Sequence, residues 1–169
     1  MLLFSTMASL AGMSAALLQA ATGGWMLHSV DAAHREVLTY DAGAPVSYRF
    51  ECLPSEVIVV QTGVTKLVDL NSGKQIDDGP DAVMPAGAAM MAVFGGKGQP
   101  QFQPAAAAKN PAGGWDLTIR LSKNDNRLKA IGKSEMVSLF TTGYTMAVAM
   151  SADDRALWNG FLARCRTAN

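Results

Sequence analysis

The side chains able to act as nucleophiles or soft metal ligands are few: Cys52, Cys165, His28 and His34. The two imidazoles are six positions apart. On a helix that spacing places them on opposite sides, and on a strand about 20 Å apart, so they do not share one metal ion locally. Nothing in the sequence around Cys52 is built to lower a thiol pKa, which argues against a Cys–His nucleophile. Two cysteines in an exported chain most simply pair with each other. A Cys52–Cys165 disulfide is therefore expected, closing more than 100 residues and worth about 4 to 5 kcal/mol as an upper figure.

Other chemical signatures fail on spacing. Gly95-Gly96-Lys97-Gly98 invites a phosphate-loop reading, but the place after Lys97 holds Gly98 instead of Ser or Thr, and the place five before Gly96 holds Met91. Neither a Gly-x-Ser-x-Gly elbow nor a Ser-x-x-Lys pair is present. Asp77-Asp78-Gly79-Pro80-Asp81 lacks the alternating ligands and closing Glu of a calcium loop and reads as a polar turn. Met26, Met84, Met90, Met91, Met136, Met146 and Met150 read as core filler in alternating segments, where thioethers fill gaps. No catalytic residue, metal site or cofactor is assigned. A hydrolase whose carboxylates spacing does not reveal remains the rival class, and an inhibitor of a periplasmic or host enzyme is a third.

The elements that would position these residues begin with the chain's last stretch, Ser151 to Cys165. Ser151 is a helix cap, Asp153 and Asp154 sit at the positive end of the helix dipole, and Arg164 and Arg166 sit at the other. Leu157, Trp158, Phe161 and Leu162 form an apolar stripe that must lie on something. Upstream, Val46, Tyr48, Phe50 and Cys52 alternate with Ser47, Arg49 and Glu51, a strand with one wet face. Val57 to Val60 and Val64 to Leu70 read as two strands separated by Gly63, and Asn71-Ser72-Gly73 as a tight turn. Ala88 to Phe94, Trp115 to Leu121, Arg127 to Ile131, Glu135 to Phe140 and Tyr144 to Met150 continue the series, with Trp25 to His28 and Val37 to Tyr40 before it. The pattern predicts a mainly β fold, an antiparallel sandwich or curled sheet of about eight or more strands with one C-terminal α-helix packed on it.

Residues 1–20 carry no charge and are rich in Leu, the pattern of a secretory signal peptide, although no Lys or Arg follows Met1. Removal would leave 149 residues, 21–169, as one domain with no transmembrane anchor, in the periplasm or outside the cell. Lys and Arg total 14 and Asp and Glu total 14, so the balance favours no nucleic-acid partner. From Gly95 to Gly114, Gly, Pro, Gln and Ala predominate, which predicts a mobile loop. Within it Lys97 and Phe102 are the candidate contacts for a partner, such as an envelope protein.

A Trp strand, Leu38-Thr39-Tyr40, the strand Tyr48-Arg49-Phe50-Glu51-Cys52 and the closing Phe161-Leu162-Ala163-Arg164-Cys165 helix resemble small exported proteobacterial proteins of uncharacterised function. The resemblance implies a periplasmic, disulfide-bridged β-rich fold and lends no activity. The expected function is a non-catalytic binding or structural module of the cell envelope.

Overall fold

A computed structural model describes residues 24–29, 36–41, 47–96 and 99–167. The segment read as a signal peptide, His34 and Lys97 lie outside them. The strands are β1 (Gly24–Ser29), β2 (Glu36–Asp41), β3 (Ser47–Cys52), β4 (Glu56–Val64), β5 (Met90–Gly95), β6 (Gln103–Pro104), β7 (Ala106–Lys109), β8 (Trp115–Ser122), β9 (Met136–Thr141) and β10 (Tyr144–Ala149). Two helices, α1 (Asn126–Ile131) and α2 (Ala152–Thr167), accompany them. Six strands form one antiparallel sheet in the order β1-β2-β3-β4-β8-β7, and four form a second in the order β10-β9-β5-β6. The mainly β sandwich with its C-terminal helix is thus the observed architecture.

Alternation in the sequence becomes rungs across the larger sheet. Phe50, Val59 and Ile119 are aligned on β3, β4 and β8; Cys52, Val57 and Leu121 make the next rung, and Tyr48, Gln61 and Leu117 the one beyond. All nine are buried. Met91, Val93, Val137 and Leu139 face them from the smaller sheet, and these side chains belong to one continuous core. The strand expected to end before Gly63 runs through it. Gly63 takes φ +68°, a left-handed conformation that glycine adopts without strain, and its N–H donates to Asp116 Oδ1 at 3.1 Å. A register shift between Gln61 and Val64 then lets Val64 pair with Trp115. Residues 65–76 make only one isolated bridge, Val68 to Gln75, around the Asn71-Ser72-Gly73 turn, instead of a hairpin of two strands.

Two further expectations need correction. Arg127 to Ile131 is helical. Asp125 caps α1 by accepting from the Arg127 N–H at 2.8 Å, a local bond that stabilises a helical start over an extended one. The stretch 95–114, expected as a loop, contains β6 and β7. Pro104 ends the pairing with β5, the Ala105 N–H donates to Ala89 O at 2.9 Å, and Ala106 begins pairing with β8. The segment therefore carries the chain from the edge of one sheet to the edge of the other.

Helix α2 lies against β1, β2 and α1. Its start is a reciprocal cap: Ser151 Oγ accepts from the Asp154 N–H at 3.1 Å, while Asp154 Oδ2 accepts from the Ser151 N–H at 2.9 Å. Trp158, Phe161 and Leu162 are buried, each worth about 1.5 to 3 kcal/mol of transfer free energy. The Trp158 ring meets Phe50 edge-on at 4.7 Å, and its Nε1–H donates to Leu128 O at 2.9 Å. Asn159 donates to Gly132 O at 3.1 Å, and Arg164 pairs with Glu36 on β2.

Candidate interaction surface and staple

The two sulfurs are joined. Cys52, at the end of β3, and Cys165, near the end of α2, form a disulfide with Cα atoms 5.5 Å apart and a sequence separation of 113. Both are buried, so neither thiol is available for chemistry. His28 is exposed on β1 and hydrogen-bonds Thr39 Oγ1 at 3.1 Å. Asp77 serves its own turn by accepting from the Gly79 N–H at 2.9 Å. Among the described residues, no group of three or more His, Cys, Asp or Glu side chains is placed to hold a metal.

Two ionisable groups show what the scaffold does to protons. The Arg127 guanidinium donates to both carboxylate oxygens of Asp125, at 3.0 and 2.8 Å, and holds that carboxyl below its ordinary range while partial burial opposes the shift. Burial pushes the Tyr48 hydroxyl far above its ordinary value. Among the described residues this hydroxyl has no hydrogen-bond partner, and neither does the side-chain amide of Gln61, its cross-strand neighbour. Both groups are closed off from solvent, so this rung offers no acid or base at neutral pH.

One face of the smaller sheet is open only in part: Ala92 and Ser138 at its centre are buried, and the residues around them are half-buried or exposed. Strand pairing places Met90, Ala92 and Phe94 of β5, Met136, Ser138 and Phe140 of β9, and Thr145, Ala147 and Ala149 of β10 on the side opposite the core residues Met91, Val93, Val137 and Leu139. None of these side chains is charged. The Phe94 and Phe140 rings stack with centroids 5.0 Å apart and are half-buried, and Met136 is 44% exposed. Phe102, the aromatic singled out in the sequence, is 43% exposed beside this sheet, one residue before β6. Its neighbour Gln103 is anchored: it accepts from Arg127 at 3.1 Å and donates to Arg120 O at 3.4 Å. The ring is thus displayed from fixed backbone.

The disulfide is as the sequence led one to expect, and Phe102 is a candidate contact named from the sequence, but this face was not legible there. Phe94 and Phe140 are 46 positions apart, and only the pairing of β5 with β9 brings them together. No protein-family model matches the chain, and no curated protein or solved structure matches it. The class defined by the fold is a two-sheet antiparallel sandwich closed by a disulfide-linked C-terminal helix. Among the described residues no helix is long and apolar enough to cross a membrane.

Proposed function

We propose that this is an exported, periplasmic binding or structural module of the cell envelope, acting through its surface and not through covalent chemistry. The observation that carries the reading is the uncharged, partly exposed outer face of the four-stranded sheet, with Phe94, Phe140 and Met136 on it and Phe102 at its border. Exposed apolar side chains such as Met136 and Phe102, grouped at one face with half-buried aromatic rings, commonly mark protein interaction sites. The disulfide supports the compartment, because such bonds persist in oxidising surroundings.

The test is expression of the full chain in a bacterial host, fractionation, and mass spectrometry of the product without reduction. A periplasmic product shortened at its N-terminus and lacking free thiols is expected. That material is then used to capture partners from envelope extract, alongside Phe102→Ser and Met136→Lys. Capture lost in both variants, with melting temperatures unchanged, supports the reading. A cytoplasmic product with two free thiols overturns the compartment, and capture indifferent to both substitutions overturns the surface.

A further inference from the structure

The edge of the four-stranded sheet formed by β10 is open. Thr142 and Gly143 make a two-residue turn, so Thr141 and Tyr144 face each other as a hydrogen-bonded pair, and the Met150 N–H donates to Glu135 O at 2.9 Å in the same phase of the ladder. Residues 144, 146, 148 and 150 therefore turn their backbone groups toward β9. Thr145, Ala147 and Ala149 turn theirs away from it, and all three residues are exposed. No strand pairs with β10 on that side among the described residues.

An unpaired row of this kind is a template for another strand, and proteins usually blunt it with proline, lysine or brevity. The opposite edge of the same sheet has these features: β6 is two residues long and includes Pro104. At one edge of the larger sheet, β7 is four residues long and ends in Lys109. Strand β10 has six residues, Tyr-Thr-Met-Ala-Val-Ala, with neither proline nor charge.

We infer that the β10 edge is a strand-addition site for a second copy of this chain, paired antiparallel about a two-fold axis at Ala147. In that register Ala147 faces Ala147 of the second copy, and Thr145 faces Ala149 in both directions. Each outward N–H and C=O of the three residues then finds its counterpart, with none left over. The alternate positions fit as well. Tyr144 and Met146, half-buried at the rim of the core, come opposite Met150 and Val148 of the second copy, so their exposed apolar surface is covered.

Charge selects the same arrangement. One end of β10 carries three acids against one cation: Glu135 beside Met150 and Asp153 and Asp154 in the first turn of α2, with Arg155 donating to Met150 O at 2.8 Å. At the other end is the uncharged turn, where a Cβ on Gly143 would lie 2.3 Å from the Lys66 carbonyl oxygen, and Lys66 is exposed. Antiparallel pairing brings the acidic end of one copy to the Lys66 end of the other, whereas parallel pairing sets acids against acids.

This inference rests on reading the smaller sheet as an interaction surface, and it adds the partner. The experiment is sedimentation equilibrium of the purified full chain from about 10 µM to about 1 mM, the range in which small interfaces associate. Ala147→Pro and Ala147→Lys are run in parallel. Proline at 147 removes only an outward N–H, so the β9 ladder keeps its bonds, and lysine sets two charges face to face. A reversible dimer is expected, weakened about tenfold or more by either substitution because two hydrogen bonds are lost or two like charges opposed. Amide exchange at residues 145, 147 and 149 slows as concentration rises, a readout that survives if one variant folds poorly.

A monomer throughout the range, a dimer whose dissociation constant neither variant moves, or concentration-independent exchange at those amides overturns the inference. The outcomes separate from those of the surface reading. A monomer that still captures a partner through Phe102 sinks the self-pairing alone, and a dimer without Phe102-dependent capture sinks the surface reading alone.

Discussion

Removing the Cys52–Cys165 bond by the double substitution Cys52→Ala, Cys165→Ala tests the physical claim on which the architecture depends. The separation of 113 residues places the closed loop near the upper end of the chain-entropy relation, so the bridge removes about 5 kcal/mol of freedom from the unfolded chain. Both side chains are buried, and alanine fills slightly less space than a bridged sulfur, so a small packing loss adds to this. Whole domains are stable by only about 5 to 15 kcal/mol. At about 2 to 4 °C per kcal/mol for a chain of this size, the melting temperature falls by about 10 to 20 °C.

The fold itself survives at 25 °C, because Trp158, Phe161 and Leu162 keep α2 seated and the Trp158 bond to Leu128 does not involve the bridge. Calorimetry of the oxidised protein, the same protein with a phosphine reductant, and the double variant is the assay. The last two should agree with each other and fall well below the first. A drop under about 3 °C in both would mean that the denatured chain is already held together elsewhere, and the entropic account would be wrong.

Two further outcomes follow from the backbone and from the buried rung. Gly143 has φ +99°, and a Cβ there would lie 2.3 Å from the Lys66 carbonyl oxygen and 2.9 Å from Val68 Cγ2, so Gly143→Ala is expected to cost about 2 to 3 kcal/mol in urea denaturation; an unchanged midpoint would refute the close approach. Tyr48→Phe deletes a buried hydroxyl without a partner and is expected to raise stability by about 1 kcal/mol. The raised pKa gives this site a pH signature. Below the ordinary tyrosine value of about 10 both states keep the proton and the site adds no pH dependence; above it the unfolded chain ionises and the folded chain does not, so stability falls as pH rises. Between pH 8 and 11 the wild type should therefore lose more stability than Tyr48→Phe, and parallel urea-midpoint curves would contradict the burial of that hydroxyl.

Where one face is wet and the other dry, the sequence was legible. Ser47 to Cys52 and Trp115 to Leu121 alternate cleanly because β3 and β8 each turn one side to the core. The disulfide followed from cysteine count and an expected oxidising compartment, and Ser151 from cap chemistry that operates within four residues. Arg127 to Ile131 misled because six residues are too few to display a helical period, and the deciding bond comes from Asp125 before the segment. Val64 to Leu70 misled for a different reason. Val64 belongs to β4 beyond a bulge, and Leu67 is buried from irregular chain, so β-branched composition marked burial and not strand. The 95–114 stretch is rich in residues that resist regular pairing, yet strand edges on both sheets were available to receive it. The β10 edge was invisible in principle, since whether a strand has one neighbour or two depends on strand order and not on its own residues.

These features place the constraints unevenly. Helix α2, the bond to Cys52, the Arg164–Glu36 ion pair and the aromatic contacts of Trp158 all tie the C-terminus to β1, β2 and β3. At the β10 edge, by contrast, the N–H and C=O groups of Thr145, Ala147 and Ala149 belong to no ladder among the described residues, and their side chains lie on the solvent side of the sheet. Changing them removes no bond on which the sandwich depends. A substitution in the Tyr48-Gln61-Leu117 rung, however conservative, alters three strands at once. Stability and association are therefore written in different residues, and an edge that costs the fold nothing to alter is one on which pairing specificity can change without loss of the scaffold.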